Sequence, residues 1–178
     1  EIVKFNRLLA VMAVSFVDIQ KAIEGLILMS QDLDQLYTCF LNNEVPPLWE
    51  RVSFASMKTL GSWNKDLVFR VAFMQKWLVD GQPPYFPLNL FFFPQGFMTG
   101  AVQTFARKYL VPVNKLNFSF EVLDANLVVE EIPEPDDGVI CNGLYLEAAR
   151  WDNDLGELVQ SKIGEIYTEF PCVHFLPE

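Results

Sequence analysis

AVQTFARKYLVPVNKLNFSFEV, residues 101–122, changes its period half-way along. Up to Tyr109 the apolar positions Phe97, Ala101, Phe105 and Tyr109 step by four, the spacing that lines one face of a helix. Pro112 closes that helix. Beyond it Leu116, Phe118, Phe120 and Val122 alternate with Asn117, Ser119 and Glu121, the two-residue period of a strand with one buried face. A helical half over residues 1–112 therefore precedes a β half over 113–178, and the fold class is α+β, with four to six helices ahead of the strands.

Upstream of this stretch, Pro94 suits the first position of the helix, where its missing N–H costs nothing. Residues 85–93 are aromatic and interrupted by Pro87, which predicts a buried extended segment. An earlier helix carries Leu67, Val71, Met74 and Leu78 on one face, with Ser62 or Asn64 as its cap and Gly81 as its stop. Before that, Ser30 caps a helix facing inward through Leu33, Leu36, Tyr37 and Phe40, ended by Asn42-Asn43 and Pro46-Pro47. The first helix is expected over residues 5–28, with Leu8, Met12, Phe16, Ile19, Ile23 and Leu26 as its buried stripe. Downstream, residues 126–132 and 139–148 read as strands joined through Asp137-Gly138, a hairpin signal, and 157–161 and 172–176 as shorter strands. No Gly/Ser-rich linker separates the halves, so they are expected to pack as one rigid body.

The 178 residues carry 13 Lys+Arg against 23 Asp+Glu, a net charge of −10, and 16 Phe. So many aromatics exclude a disordered chain, and the acidic balance without a basic run argues against nucleic acid or an anionic membrane surface as partner. Cys39, Cys141 and Cys172 form an odd set without metal-ligand spacing, which points to a reducing compartment. No apolar run approaches the roughly 20 residues of a membrane span. The sequence begins at Glu1 inside a helical pattern, as a piece of a longer polypeptide would.

Each feature suggestive of chemistry has a plainer reading. There is no glycine-rich phosphate loop of either common type, so nucleotide binding is not expected here. His174, the single histidine, sits in an apolar strand-like run and reads as packing or surface. Residues 152–157 resemble a calcium loop but lack its third oxygen ligand and distant glutamate, leaving a polar turn. Glu130, Glu131 and residues 134–137 read as a solvated Pro-rich loop rather than a carboxylate pair for glycoside hydrolysis. Asn117-Phe118-Ser119 matches a glycosylation acceptor but falls inside the best strand. Arg107-Lys108 complements a helix dipole. Phe91-Phe92-Phe93 reads as aromatics buried on both sides rather than an exposed patch. A reading in which the Phe content serves a stand-alone β-barrel, with a helical cap and a small apolar ligand, is the alternative.

Taken in order, Phe5-Asn6-Arg7-Leu8-Leu9, Lys21-Ala22-Ile23-Glu24-Gly25-Leu26, Leu60-Gly61-Ser62-Trp63, Phe91-Phe92-Phe93-Pro94-Gln95 with Thr99-Gly100, Ala106-Arg107-Lys108 and Gly143-Leu144-Tyr145-Leu146-Glu147 with Ala149-Arg150-Trp151-Asp152 resemble the C-terminal domain of dynein heavy chains. The likeness covers essentially the whole sequence and is nearest the axonemal, inner-arm type. It implies a module without catalysis of its own, lying across the ring of six AAA+ units of the same heavy chain and tuning a minus-end-directed microtubule motor. It also implies that ATP and Mg belong to that ring, that microtubule contact is made only through the parent's stalk, that other dynein subunits are the remaining partners, and that the site is the cytoskeleton of the cilium or flagellum. The family-signature positions, as docking or core residues, are Trp63, Phe91, Phe93, Gln95, Arg107, Gly143, Glu147, Arg150, Trp151 and Asp152. The resemblance implies that the strands form a small antiparallel β-barrel; Leu90 departs from the Gly frequent in the family, and Glu178 falls before its usual last strands, so that barrel is expected to be incomplete.

Overall fold

The first helix, α1 (Ile2–Ile23), buries Phe5, Leu8, Met12, Ser15 and Ile19, positions that step alternately by three and four. The computed structural model describes residues 1–124, 132–164, 168 and 170–178. The stripe thus passes through Ser15, not Phe16, and Phe16 and Ile23 are exposed. A serine holds an apolar position because its hydroxyl has two buried partners: it donates to the Met12 carbonyl at 2.8 Å and accepts from the Trp49 indole N–H at 2.9 Å. The helix stops before Leu26, with Gly25 in the left-handed region at φ 73°.

Ser30 caps α2 (Gln31–Asn42) as expected, its side chain accepting from the Leu33 N–H at 3.3 Å. Leu36 and Cys39 are its buried residues, while Tyr37 is exposed. A short helix, α3 (Pro47–Glu50), was not foreseen; it carries Trp49 into the core. The next helix, α4 (Leu60–Asp80), starts earlier than its expected caps Ser62 and Asn64. Its first free N–H groups are met instead by Asn43, left-handed at φ 58° past the end of α2. The Asn43 backbone carbonyl accepts from Leu60 N–H and its side-chain carbonyl from Gly61 N–H, both at 2.9 Å.

A column of rings runs from the core of these helices to their surface: Trp49, Trp63 and Phe54 are buried, Phe40 is half-buried and Phe16 is exposed. Phe40, Phe16, Trp49, Trp63 and Phe54 follow one another at centroid separations of 5.8, 5.3, 5.8 and 5.7 Å. The Arg70 guanidinium closes the column, 3.8 Å over the Phe54 ring. Each such ring pair adds about 0.5–1.5 kcal/mol beyond the area it buries. Arg70 is tolerated inside because Asp66 lies 3.1 Å from its Nε, and Asp66 is held in turn by Lys58 at 3.2 Å.

The residues 85–93 begin extended, as β1 (Phe86–Pro87), then form a 3-10 turn at Leu88–Leu90. With Pro94 at its start, α5 (Pro94–Tyr109) matches its expectation, and Leu110 at φ 56° ends it. After a second 3-10 turn at Val113–Lys115 come β2 (Phe118–Val122), β3 (Val139–Asn142), β4 (Ala149–Asp152), β5 (Glu157–Gln160) and β6 (Val173–Pro177). One sheet has the order β1-β3-β6-β2, with β1 parallel to β3 and the other pairs antiparallel; β4 and β5 form a separate antiparallel pair.

The α+β class and the order of helices before strands hold. In place of a closed barrel the described residues form an open four-stranded sheet, in keeping with the incomplete barrel expected but mixed rather than wholly antiparallel. Its parallel pair arises because β1 precedes α5 in sequence, and Pro87, lacking a donor, suits the edge where β1 lies. The strand expected over 139–148 ends at Asn142. Gly143 follows at φ 69°, where a Cβ would lie 2.7 Å from Asn89 Oδ1, and the chain resumes as β4 only after Ala148 at φ 58°. The strand expected over 126–132 lies, Ile132 apart, outside the described residues, and so does the first arm of the expected Asp137-Gly138 hairpin.

The chain divides into two compact units, Glu1–Val79 and Asp80–Glu178. The change of period at Pro112 falls inside the second unit, where α5 lies against β6 and its Phe97 packs 4.6 Å from both Phe86 and Phe91.

Candidate functional site

The signature residues fall into three structural roles. Trp63 in the first unit and Phe91 in the second are core residues, 1% and 4% exposed. Phe91-Phe92-Phe93 cannot turn three rings one way: Phe91 is buried, Phe92 half-buried, and Phe93 is 51% exposed with its ring over Gly96. Gln95, Arg107 and Glu147 are exposed. Arg107 sits in the last turn of α5, where a cation complements the helix dipole.

Arg150, Trp151 and Asp152 are brought together along β4, all half-buried. Arg150 Nη2 lies 2.9 Å from Asp152 Oδ2, while Asp152 Oδ1 accepts from the Asp154 and Leu155 N–H groups at 3.1 and 3.2 Å. The Leu155 N–H, then those of Asp154 and Arg150, hold the Asp152 carboxyl below the usual carboxylate range. The calcium-like sequence is thus a polar turn between β4 and β5, with Asp152 as its internal cap. Among the described residues no group of three or more His, Cys, Asp or Glu is placed to hold a metal, and no helix is long and apolar enough to cross a membrane.

A polar node that the sequence did not reveal lies at the end of α5. Asp137 receives Lys108 Nζ at 2.6 Å on one carboxylate oxygen and the Tyr109 hydroxyl at 2.5 Å on the other. Lys108 also donates to the Asp136 carbonyl at 3.1 Å, and His174 Nε2 lies 2.8 Å from the Asp137 carbonyl. The Lys108 and Tyr109 donors draw the Asp137 carboxyl below its usual range, and Asp137 raises Lys108. Lys108 is more than a dipole complement, and His174 is a tie between β6 and the 136–138 bend. Gly138 is what lets the bend approach: at φ 75°, a Cβ there would overlap the Phe175 carbonyl oxygen. Partners some 28 to 37 residues apart leave no local pattern to read.

In the first unit an open groove of about 450 Å³ runs between α2, α3 and residues 56–59, lined by Cys39, Glu44, Glu50 and Met57 among others. Burial, and then the Glu44 and Glu50 carboxylates, push the Cys39 thiol up. Exposed apolar side chains occur in both units: Phe69 on α4 is 63% exposed and Phe120 on β2 is 72% exposed.

Residues 1–178 match, along their whole length, the family defined by the C-terminal domain of the dynein heavy chain. The sequence is 38% identical over 197 aligned residues to human dynein axonemal heavy chain 6, covering 100% of itself and 5% of that protein. It is 41% identical over 179 residues to mouse dynein axonemal heavy chain 1, again covering 100% of itself and 4% of the relative, and 38% identical to mouse dynein axonemal heavy chain 3 over 99% of itself and 4% of the relative. It thus spans only about a twentieth of the length of these curated relatives, and with its helices-first α+β fold it belongs to the family of C-terminal domains of dynein heavy chains.

Proposed function

We propose that this chain is the C-terminal module of an axonemal dynein heavy chain, seated on the AAA+ ring of the same polypeptide, where it braces the ring and tunes its motility. The observation that carries the reading is the family match over all 178 residues, in a chain whose relatives are some twenty times longer. Exposed apolar side chains in both units, Phe69, Phe93 and Phe120 among them, supply surface for such seating. The module performs no catalysis; ATP and Mg act in the ring, the stalk meets the microtubule, and the whole works in the axoneme with the other dynein subunits. The test compares the full-length motor with one lacking this module. Altered gliding velocity, stall force or microtubule-stimulated ATPase is the expected result, and three unchanged values would remove the regulatory role.

A further inference from the structure

The inward face of α4 is filled by Trp63, Leu67, Arg70 and Met74, yet its outward face is not polar. Along that face Lys65, Val68, Phe69, Ala72, Lys76 and Val79 are all exposed. Val68, Phe69 and Val79 are 61%, 63% and 83% exposed. A helix apolar on two opposite faces is one that something else covers.

Charge says what kind of surface that is. Asp66 on the same helix already holds Lys58 and Arg70, whereas Lys65 and Lys76 form no ion pair among the described residues. They stand eleven residues apart, about 16 Å along the helix, one on either side of the Val68-Phe69-Ala72 centre. In a chain of net charge −10, two cations without an ion pair among the described residues bracket this apolar centre, with exposed Asp80 beyond the second. The complement is a helix with an apolar stripe and a carboxylate near each end of the contact.

We infer that the outer face of α4 is a docking surface for such an acid-bracketed amphipathic helix, and that this helix belongs to the part of the same heavy chain outside these 178 residues. About 95% of the length of the matched relatives lies there, and a tether to the same polypeptide raises the effective concentration of any helix it carries. The inference rests on the proposed seating of the module on its own motor and names the surface used.

The experiment places a benzophenone-bearing residue at position 69 of the full-length heavy chain, irradiates the assembled motor and sequences the adduct by mass spectrometry. The expected adduct lies in a helix of the same heavy chain before this module, with Asp or Glu flanking its apolar stripe. Lys65→Glu with Lys76→Glu should lower its yield about fivefold or more, the size two surface ion pairs support. An adduct to residues 80–178, to another polypeptide or to lipid overturns the inference, and so does a yield unmoved by the charge reversals. The same probe at Phe93 and Phe120 separates the two claims. If those positions reach the motor portion and position 69 does not, the seating stands and α4 is not its surface; if none of the three does, both fall.

Discussion

The indole N–H of Trp49 donates to the Ser15 hydroxyl at 2.9 Å, joining a four-residue helix to the one polar position in the buried stripe of α1. Removing the acceptor strands a buried donor. Ser15→Ala is therefore expected to cost about 1–3 kcal/mol, more than one ordinary hydrogen bond. Trp49→Phe costs more because it also opens the aromatic column, but the two changes together should cost less than their sum. Urea unfolding of the four proteins, arranged as a double-mutant cycle, reads the coupling directly; additive losses would mean the bond is not made.

Asn43 serves two helices at once, and its two jobs separate by substitution. Asn43→Gly keeps the left-handed conformation and the backbone carbonyl but loses the side-chain acceptor for Gly61. Asn43→Ala loses the acceptor and also strains the backbone. The alanine variant is expected to fall by about 1–2 kcal/mol and the glycine variant by less than about 1, measured by thermal unfolding.

The Asp137 node predicts an acid-sensitive contribution. Its carboxyl is held below the usual range by Lys108 and Tyr109, so the folded state favours the ionised form. That contribution is present at neutral pH and is lost as pH falls below about 4 through the lowered value. Asp152, lowered chiefly by the Leu155 N–H, acts in the same window. Lys108 is raised and works at the other end: its share is present up to about pH 10 and is lost as pH climbs through the raised value. Melting temperatures of the parent and Asp137→Asn, followed from neutral pH down to about 3, should converge on acidification. A constant gap would show that the node carries no linked proton.

Two glycines with similar φ values should respond differently to alanine. At Gly138 the new Cβ meets the backbone carbonyl of Phe175, which cannot move without disturbing β6. At Gly143 it meets the Asn89 side chain, which can swing away. Gly143→Ala is expected to cost about 1–2 kcal/mol from backbone strain alone, and Gly138→Ala about 2–4, compared by denaturant midpoints.

All three cysteines are buried thiols outside any disulfide. Burial, with a smaller contribution from Cys172, pushes Cys141 up to about 12, and Cys39 is raised as well. Since the thiolate is the reactive species, labelling by a thiol reagent at about pH 8 should be far slower for Cys39 and Cys141 in the folded protein than in urea. Rapid native labelling of Cys141 would contradict its burial on β3, where its Sγ lies 4.0 Å from Met98 Sδ of α5.

What the sequence made legible is what local physics determines. Ser30 as cap and Pro94 as helix start each depend on residues a few positions away, and each is found where expected; the strand through Phe118 forms too, but Phe120, on its expected buried face, is 72% exposed. The misses share a different cause. Ser15 joins a buried stripe only through a partner 34 residues distant, and Asn43 caps a helix that starts 17 residues later. Lys108, Asp137 and His174 meet only after the sheet is assembled. The parallel neighbour of β3 is likewise a matter of topology, for two residues such as Phe86 and Pro87 carry no period. Among the signature positions, buried Trp63 and exposed Phe93 look alike in a sequence, because an aromatic residue serves either place.

The order of the sheet bears on how the protein is made. Val173–Pro177 lies in the interior, hydrogen-bonded to β2 on one side and β3 on the other. Synthesis proceeds in the opposite sense to this architecture: both neighbours leave the ribosome before the strand that joins them. Until residues 173–177 emerge, β2 and β3 wait as unpaired edges, whereas the ring column of the first unit has long been complete. A premature stop just ahead of Val173 would take out the keystone, leaving β2 without a partner and β3 with β1 alone. Recognition of such a truncated product would then turn on one five-residue strand, made after everything it has to join.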